Sequence, residues 1–128
     1  MPGQSVEHVA LAPKNIGILP QADCTGRAGQ AGHGPYIIIF LRLDEDLVAD
    51  ASFQTYGCPA AVACGSKLTE WVKGKTAEEA AGITEEQVRS WFDKFPNGKR
   101  HCARIAAKAL HDAVACYNNV PANKEQFE

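Results

Sequence analysis

Two cysteines stand at positions where a thiol can do chemistry. Cys58 precedes Pro59 at the start of a predicted helix, and Cys102 follows His101 in the first turn of another. Unpaired backbone N–H groups and the positive end of the helix dipole favour the thiolate form at such positions. Thiolate is the form that binds metal, so these thiols and the neighbouring imidazole can form a metal site from separate segments. The alternative interpretation is that both thiols are simply buried.

The other three cysteines give weaker signals. Five cysteines in all, with no C-x-x-C pair, argue against a disulfide framework or a zinc ribbon. Cys64 and Cys116 lie on apolar stripes of predicted helices, where a cysteine packs as a small hydrophobic residue. Cys24 lies in a glycine-rich segment. A thiol enzyme based on Cys102 is disfavoured, because adjacent helical residues point about 100° apart and His101 is poorly placed as its base.

The elements that must position these residues follow from hydrophobic periodicity. Residues 5–12 form a predicted short helix with Ser5 as its N-cap. Residues 36–43 and 47–55 alternate as strands, joined by a turn at residues 44–46. The apolar positions expected on one face of each strand are Ile37, Ile39, Leu41 and Leu43, and Leu47, Ala49, Ala51 and Phe53.

Helices follow the predicted strands. The first runs from Pro59 to Gly74, two shorter ones begin after Thr76 and Thr84, and a last one spans residues 100–117. Strands followed by helices in series are typical of an α+β fold. We therefore expect a small antiparallel sheet of two or three strands, covered by helices on one face.

Composition limits the remaining possibilities. The 128 residues are 45% hydrophobic, which suits one domain spanning residues 1–128. A net charge of −2, with 13 basic and 15 acidic residues, offers no basic excess for nucleic acid. Apolar runs are too short to cross a bilayer, and the first residues do not resemble a secretory signal. We expect a cytoplasmic protein that contacts neither nucleic acid nor membrane.

Four segments of the chain carry further motifs: P-K-N-I-G at residues 13–17 with Ala22-Asp23 after it, F-Q-T-Y-G-C at residues 53–58, T-E-W-V-K-G-K at residues 69–75, and K-R-H-C at residues 99–102. Together they resemble the NifU/IscU family of iron–sulfur cluster assembly scaffolds. The resemblance extends from about His8 to Val114. It implies the fold of that family over almost the whole chain.

The resemblance also implies a ligand set. Cys58 and Cys102 match the second and third ligand cysteines of the family, and Lys99 lies beside them to favour thiolate or bound sulfide. The first ligand of the family lies in a C-G-D turn, where an ungapped alignment places His33-Gly34-Pro35. Cys24 aligns well upstream and needs a long insertion to serve instead. The implied metal ligands are His33, Cys58, His101 and Cys102.

The function implied is that of a scaffold rather than an enzyme. It would hold iron or a nascent [2Fe–2S] cluster, receive sulfur from a cysteine desulfurase and pass the cluster to acceptor proteins. The chaperone-recognised L-P-P-V-K segment of the family is F-P-N-G-K at residues 95–99, so chaperone handover is doubtful. The alternative is a zinc-binding or regulatory domain, because two thiols and two imidazoles form a good tetrahedral zinc set.

Overall fold

A computed structural model describes the backbone of residues 5–29 and 34–127 and the side chains of residues 5–29 and 34–116. His33 lies outside these residues. The described part contains five α-helices, three strands and one 3-10 turn. In chain order these are α1 (Val6–Leu11), β1 (Cys24–Gly29), β2 (Tyr36–Asp44), β3 (Leu47–Tyr56), α2 (Pro59–Val72), α3 (Ala77–Ala81), α4 (Glu85–Ser90), the 3-10 turn (Asn97–Lys99) and α5 (Arg100–Phe127).

The three strands form one antiparallel sheet in the order β1-β2-β3. β2 and β3 are the predicted hairpin, but its turn has two residues rather than three, because Asp44 already pairs with Leu47. The turn residues Glu45 and Asp46 both have positive φ, at 52° and 71°. Positive φ at both central positions is the geometry that matches the twist of a hairpin.

The prediction of which β3 residues face the core is wrong for the first half of the strand. Leu47 and Ala49 are exposed, whereas Val48 is buried. Arg42 pairs with Asp50 but the next residue of β2 pairs with Val48, which leaves Ala49 as an extra residue. Such a bulge moves the side chains before it to the opposite face. The hydrophobic pattern of residues 47–49 therefore does not continue that of residues 51–53.

Two helices cover the same face of the sheet, as predicted. Gly26, Ile39 and Phe53 are register partners across the three strands, and all are on the buried face. A Cβ atom at Gly26 would overlap the carbonyl oxygen of Ala109 in α5, and one at Gly65 of α2 would overlap the Phe53 ring. Each helix thus approaches the sheet at a distance that only glycine permits.

The outer edge of β3 is covered by two short segments that periodicity does not predict. Phe53 forms two backbone hydrogen bonds with residues 15–17, of 2.9 and 2.7 Å, and Val48 forms two with residues 74–75, of 2.9 and 2.8 Å. Residues 15–17 run parallel to β3. These short segments belong to two of the stretches that resemble the NifU/IscU family.

The same two stretches are joined by side chains. Asn15, held at a φ of 64°, donates from Nδ2 to Thr69 Oγ1 at 3.3 Å and accepts from Lys73 Nζ at 2.6 Å. Lys73 also forms an ion pair with Asp50 of β3, at 3.3 Å. The motif residues of both stretches therefore stabilise the fold at the edge of the sheet.

The predicted helix starts are confirmed by their caps. Ser5 accepts from the His8 backbone N–H, and Thr84 accepts from that of Gln87. Thr76 and Glu79 form a reciprocal capping box. The backbone of α5 continues to Phe127, past the predicted end at residue 117, because the apolar stripe used to define that end stops before the helix does. None of the helices in the described part of the chain is long and apolar enough to cross a bilayer.

The contact between β1 and α5 predicts a large effect of a small substitution. Gly26→Ala places a methyl group against the backbone of α5, which cannot move aside as a flexible side chain can. We expect a loss of about 1–3 kcal/mol in the free energy of unfolding, measured by urea denaturation. Gly98→Ala is the matched control, because a Cβ at Gly98 meets no atom within 4 Å. Equal stability of the two variants would contradict the close approach.

Candidate metal centre

Cys58 is positioned by the change from strand to helix. It is the N-cap of α2, with extended backbone angles (φ −87°, ψ 169°), and Pro59 occupies the first helical position. Proline suits that position because its φ is already helical and its missing N–H would have no partner. The side chain is half-buried. Cys102 lies in the first turn of α5, directly after the 3-10 turn, and is fully buried.

The two sulfur atoms are in contact. Cys58 Sγ and Cys102 Sγ are 3.7 Å apart, although 44 residues separate them in the chain. Two thiolates bound to one tetrahedral metal ion, each with a bond of about 2.3 Å, lie about 3.8 Å from one another. The pair is therefore already spaced to bind a single ion. Two soft sulfur donors favour zinc or the iron of an iron–sulfur cluster over magnesium or calcium.

The surroundings shift the pKa values of the two thiols in opposite directions. Partial burial by itself raises the pKa of Cys58, but the Ala61 N–H, the Cys102 thiol, the Ala60 N–H and the Lys99 charge together bring it below its ordinary value. Burial, followed by the hydrogen bond and the charge of Cys58, raises the pKa of Cys102 to about 12. Cys58 therefore ionises first, and Cys102 stays protonated until a metal ion or another cation replaces its proton.

Lys99 is a charged neighbour of both thiols. Its charge lowers the pKa of both thiols, which means that it lies close enough to act on each of them. His101 directly precedes Cys102 in the chain, and its side chain is half-buried. Within the described residues, no group of three or more His, Cys, Asp or Glu side chains is close enough to hold a metal ion. The structure thus brings Cys58, Cys102 and Lys99 together, and His101 as a ligand stays a prediction.

The first-ligand turn can be described only in part. His33 lies outside the described residues, so its assignment also stays a prediction. Its neighbours in the chain do reach the site: a Cβ atom at Gly57 would lie 2.7 Å from Pro35 Cβ. Gly57 immediately precedes Cys58, so the turn at residues 34–35 packs against the start of the ligand segment.

Cys24 lies at the far end of the sheet, as expected. It pairs with Leu41, whereas the end nearest Cys58 is marked by the pairing of Tyr36 with Tyr56. Leu41 is five positions after Tyr36 along β2, a distance of about 17 Å at 3.4 Å per residue. Cys24 therefore contributes to the buried face of the sheet rather than to the site.

The remaining cysteines differ in burial. Cys64 is fully buried in α2, as predicted. Burial, followed by the charges of Cys102 and Cys58, raises the pKa of its thiol far above the ordinary range, so it is a neutral neighbour of the pair. Cys116 is half-buried, although core packing was predicted. It lies where the apolar stripe of α5 ends, so only part of its surface is covered.

A groove beside the thiol pair was not predicted. It has a volume of about 300 Å³ and opens between α1, the start of α2 and the 3-10 turn. Its lining residues are Val6, Glu7, Pro59, Ala60, Pro96 and Lys99. They come from three segments that are distant in the chain, and local sequence patterns carry no signal that these segments pack together. Pro59 directly follows Cys58 in the chain, so the groove adjoins the start of the helix that carries this thiol.

The Lys99 charge predicts a shift in thiol reactivity. Alkylation of Cys58 requires the thiolate, and its rate rises with pH through the thiol pKa. Because Lys99 lowers that pKa, Lys99→Gln should move the pH midpoint of Cys58 alkylation upward. Peptide mapping after a short exposure to iodoacetamide measures this rate. Lys108→Gln, which removes an exposed lysine of α5, should leave the midpoint unchanged. The same midpoint in all three proteins would contradict the placement of Lys99.

The chain is similar in sequence to several proteins of known name. The chain is 39% identical over 105 residues to the iron-sulfur cluster assembly scaffold protein IscU 1 of Archaeoglobus fulgidus, covering 82% of this chain and 69% of that protein. It is 38% identical over 109 residues to the IscU scaffold protein of Haemophilus influenzae, covering 82% of this chain and 86% of that one. The chain is also 36% identical over 107 residues to the nitrogen fixation protein NifU of Azotobacter chroococcum. This match covers 82% of this chain and 35% of that longer protein.

The fold agrees as well. A crystal structure of a nitrogen-fixing NifU-like protein (N-terminal) from Brucella abortus superposes with a TM-score of 0.71. The two chains are 16% identical, and the match covers 90% of this chain and 92% of that one. Residues 4–124 match the family described as the NifU-like N terminal domain. With these relatives and this match over almost its whole length, the chain belongs to the NifU-like N-terminal domain family.

Proposed function

We propose that this protein is an iron–sulfur cluster assembly scaffold that binds iron or a nascent [2Fe–2S] cluster and passes it to acceptor proteins. The observation that carries the proposal is the 3.7 Å separation of Cys58 Sγ and Cys102 Sγ. It suits two thiolates on one tetrahedral iron. The relatives named as scaffold proteins support the same role and do not suggest an enzyme.

The pair is also suited to receive sulfur. Cys58 is the more accessible thiol, it directly precedes Pro59 in the lining of the groove, and its pKa is lowered by its surroundings. It is therefore the better nucleophile toward a persulfide carried by a cysteine desulfurase. Lys99 would offset the negative charge of sulfide as the cluster forms. His33 and His101 would complete the ligand set, and a cytoplasmic location stays a prediction.

A zinc-binding domain is the second candidate function, and the same sulfur separation favours it. Zinc takes four nitrogen or sulfur ligands in tetrahedral geometry, and the predicted set of two thiols and two imidazoles satisfies that demand. Metal analysis and the absorption spectrum of protein purified without oxygen distinguish the two functions. Iron with visible sulfide-to-iron bands supports the scaffold, and colourless protein with stoichiometric zinc supports the alternative.

Loss of either thiol of the pair should abolish metal binding. Cys58→Ala and Cys102→Ala each remove one of two adjacent donors, so we expect less than a tenth of the iron or zinc retained by unaltered protein after gel filtration. Cys116→Ala is the control, because this residue lies far along α5 from the pair. If Cys58→Ala still bound a full complement of metal, the site would be elsewhere.

The two candidates for the first ligand are separated by another pair of variants. His33→Ala should lower metal affinity by at least tenfold, because it removes one of the four predicted metal ligands. Cys24→Ala should bind metal as the unaltered protein does, since Cys24 is at the other end of the sheet. Competition with a chromophoric chelator measures both affinities. The opposite result would assign the ligand to Cys24.

A further inference from the structure

We propose that Cys58 and Cys102 form a reversible disulfide in the metal-free protein, so that the site is either oxidised and closed or reduced and able to take a metal ion. The disulfide rests on the geometry of the thiol pair alone. The exclusion of metal by the disulfide rests on the proposed function. The two parts are therefore tested separately.

The thiol contact is close to what a disulfide requires. The two sulfur atoms are 3.7 Å apart, and a disulfide bond is about 2.05 Å long. The remaining approach of about 1.7 Å lies within the reach of small rotations about the two Cα–Cβ bonds. Both residues lie at helix starts, Cys58 as the N-cap of α2 and Cys102 in the first turn of α5.

Accessibility sets the order of the steps. Cys102 has no exposed surface, whereas Cys58 is half-buried and adjoins the groove at Pro59 and Lys99. An oxidant from solution therefore meets Cys58 first. The oxidant is a low-molecular-weight disulfide, with oxidised glutathione as the probe, because a small molecule in solution can reach the exposed part of Cys58.

Thiol–disulfide exchange with oxidised glutathione takes two steps. The Cys58 thiolate attacks one sulfur of oxidised glutathione, the glutathione S–S bond breaks, and one glutathione thiolate leaves and takes up the proton. The Cys102 sulfur then attacks Cys58 Sγ of the mixed disulfide, releases its proton and expels the second glutathione. Overall, two protein thiols are oxidised by two electrons and one oxidised glutathione is reduced to two glutathione molecules.

A metal ion and this disulfide exclude one another. Metal binding needs both sulfurs as thiolates, and in the disulfide neither sulfur is a thiolate. Bound metal in turn occupies the lone pairs that would attack an oxidant. Reduced thiols would restore the binding form by reversing the two steps. An oxidising environment would thereby prevent loading of the site without unfolding the protein.

The experiment follows the disulfide in protein stripped of metal with a chelator. The protein is equilibrated with mixtures of reduced and oxidised glutathione, free thiols are alkylated in denaturant, which exposes the buried Cys102, and peptides are mapped by mass spectrometry without reduction. We expect linked peptides containing Cys58 and Cys102 to dominate in oxidising mixtures. Cys102→Ser should instead accumulate glutathione on Cys58, and Cys116→Ser should behave as the unaltered protein.

Two outcomes would overturn the disulfide: glutathione that persists on Cys58 in the unaltered protein, or alkylation of both thiols in the most oxidising mixture. A second arm repeats the mapping with one equivalent of zinc, which has no redox chemistry of its own. Zinc-loaded protein should keep both thiols reduced. If protein shown by metal analysis to hold zinc formed as much disulfide as metal-free protein, the exclusion of the disulfide by metal would be overturned. If the protein formed the disulfide but bound neither zinc nor iron, only the proposed function would be contradicted.

Discussion

The close approach of α2 and α5 to the sheet is the constraint on which the rest of the structure depends. Gly65 lies against the Phe53 ring, and Gly26 lies against the backbone of α5 at Ala109. Phe53 and Gly26 belong to one row across the sheet, so the two helices are fixed relative to the same three strands. A larger residue at either glycine would push one helix outward and change the distance between the two helix starts.

That distance determines the chemistry. Because Cys58 and Cys102 each begin a helix, their sulfur separation of 3.7 Å is set by helix packing rather than by a local motif. The two thiols also differ in acidity, because the pKa of Cys58 is lowered and that of Cys102 is raised to about 12. At neutral pH the pair therefore carries at most one negative charge, which costs less to bury than two. In the proposed function, binding of a metal ion would displace the second proton.

Local patterns were sufficient for the helix starts, the hairpin and the burial of Cys64, because each depends on neighbouring residues. They did not reveal the bulge at Ala49, since one extra residue in a strand leaves no trace in an apolar alternation that still looks regular. The pairing of residues 15–17 with β3 is a contact between distant segments, and periodicity carries no signal for it. The meeting of Cys58 with Cys102 followed from the family resemblance, because thiol chemistry alone left burial open.

The coverage of β3 has a consequence for how other proteins can approach this one. Backbone N–H groups of Val48 and Phe53 are bonded to residues 74–75 and 15–17, and that of Ala51 donates to the Asp50 carboxylate. Between Val48 and Phe53 this edge offers no open row of hydrogen-bonding groups to a foreign strand. Partners cannot dock there by extending the sheet, and identical copies cannot join edge to edge into aggregates at this strand. Recognition at this edge is left to side chains.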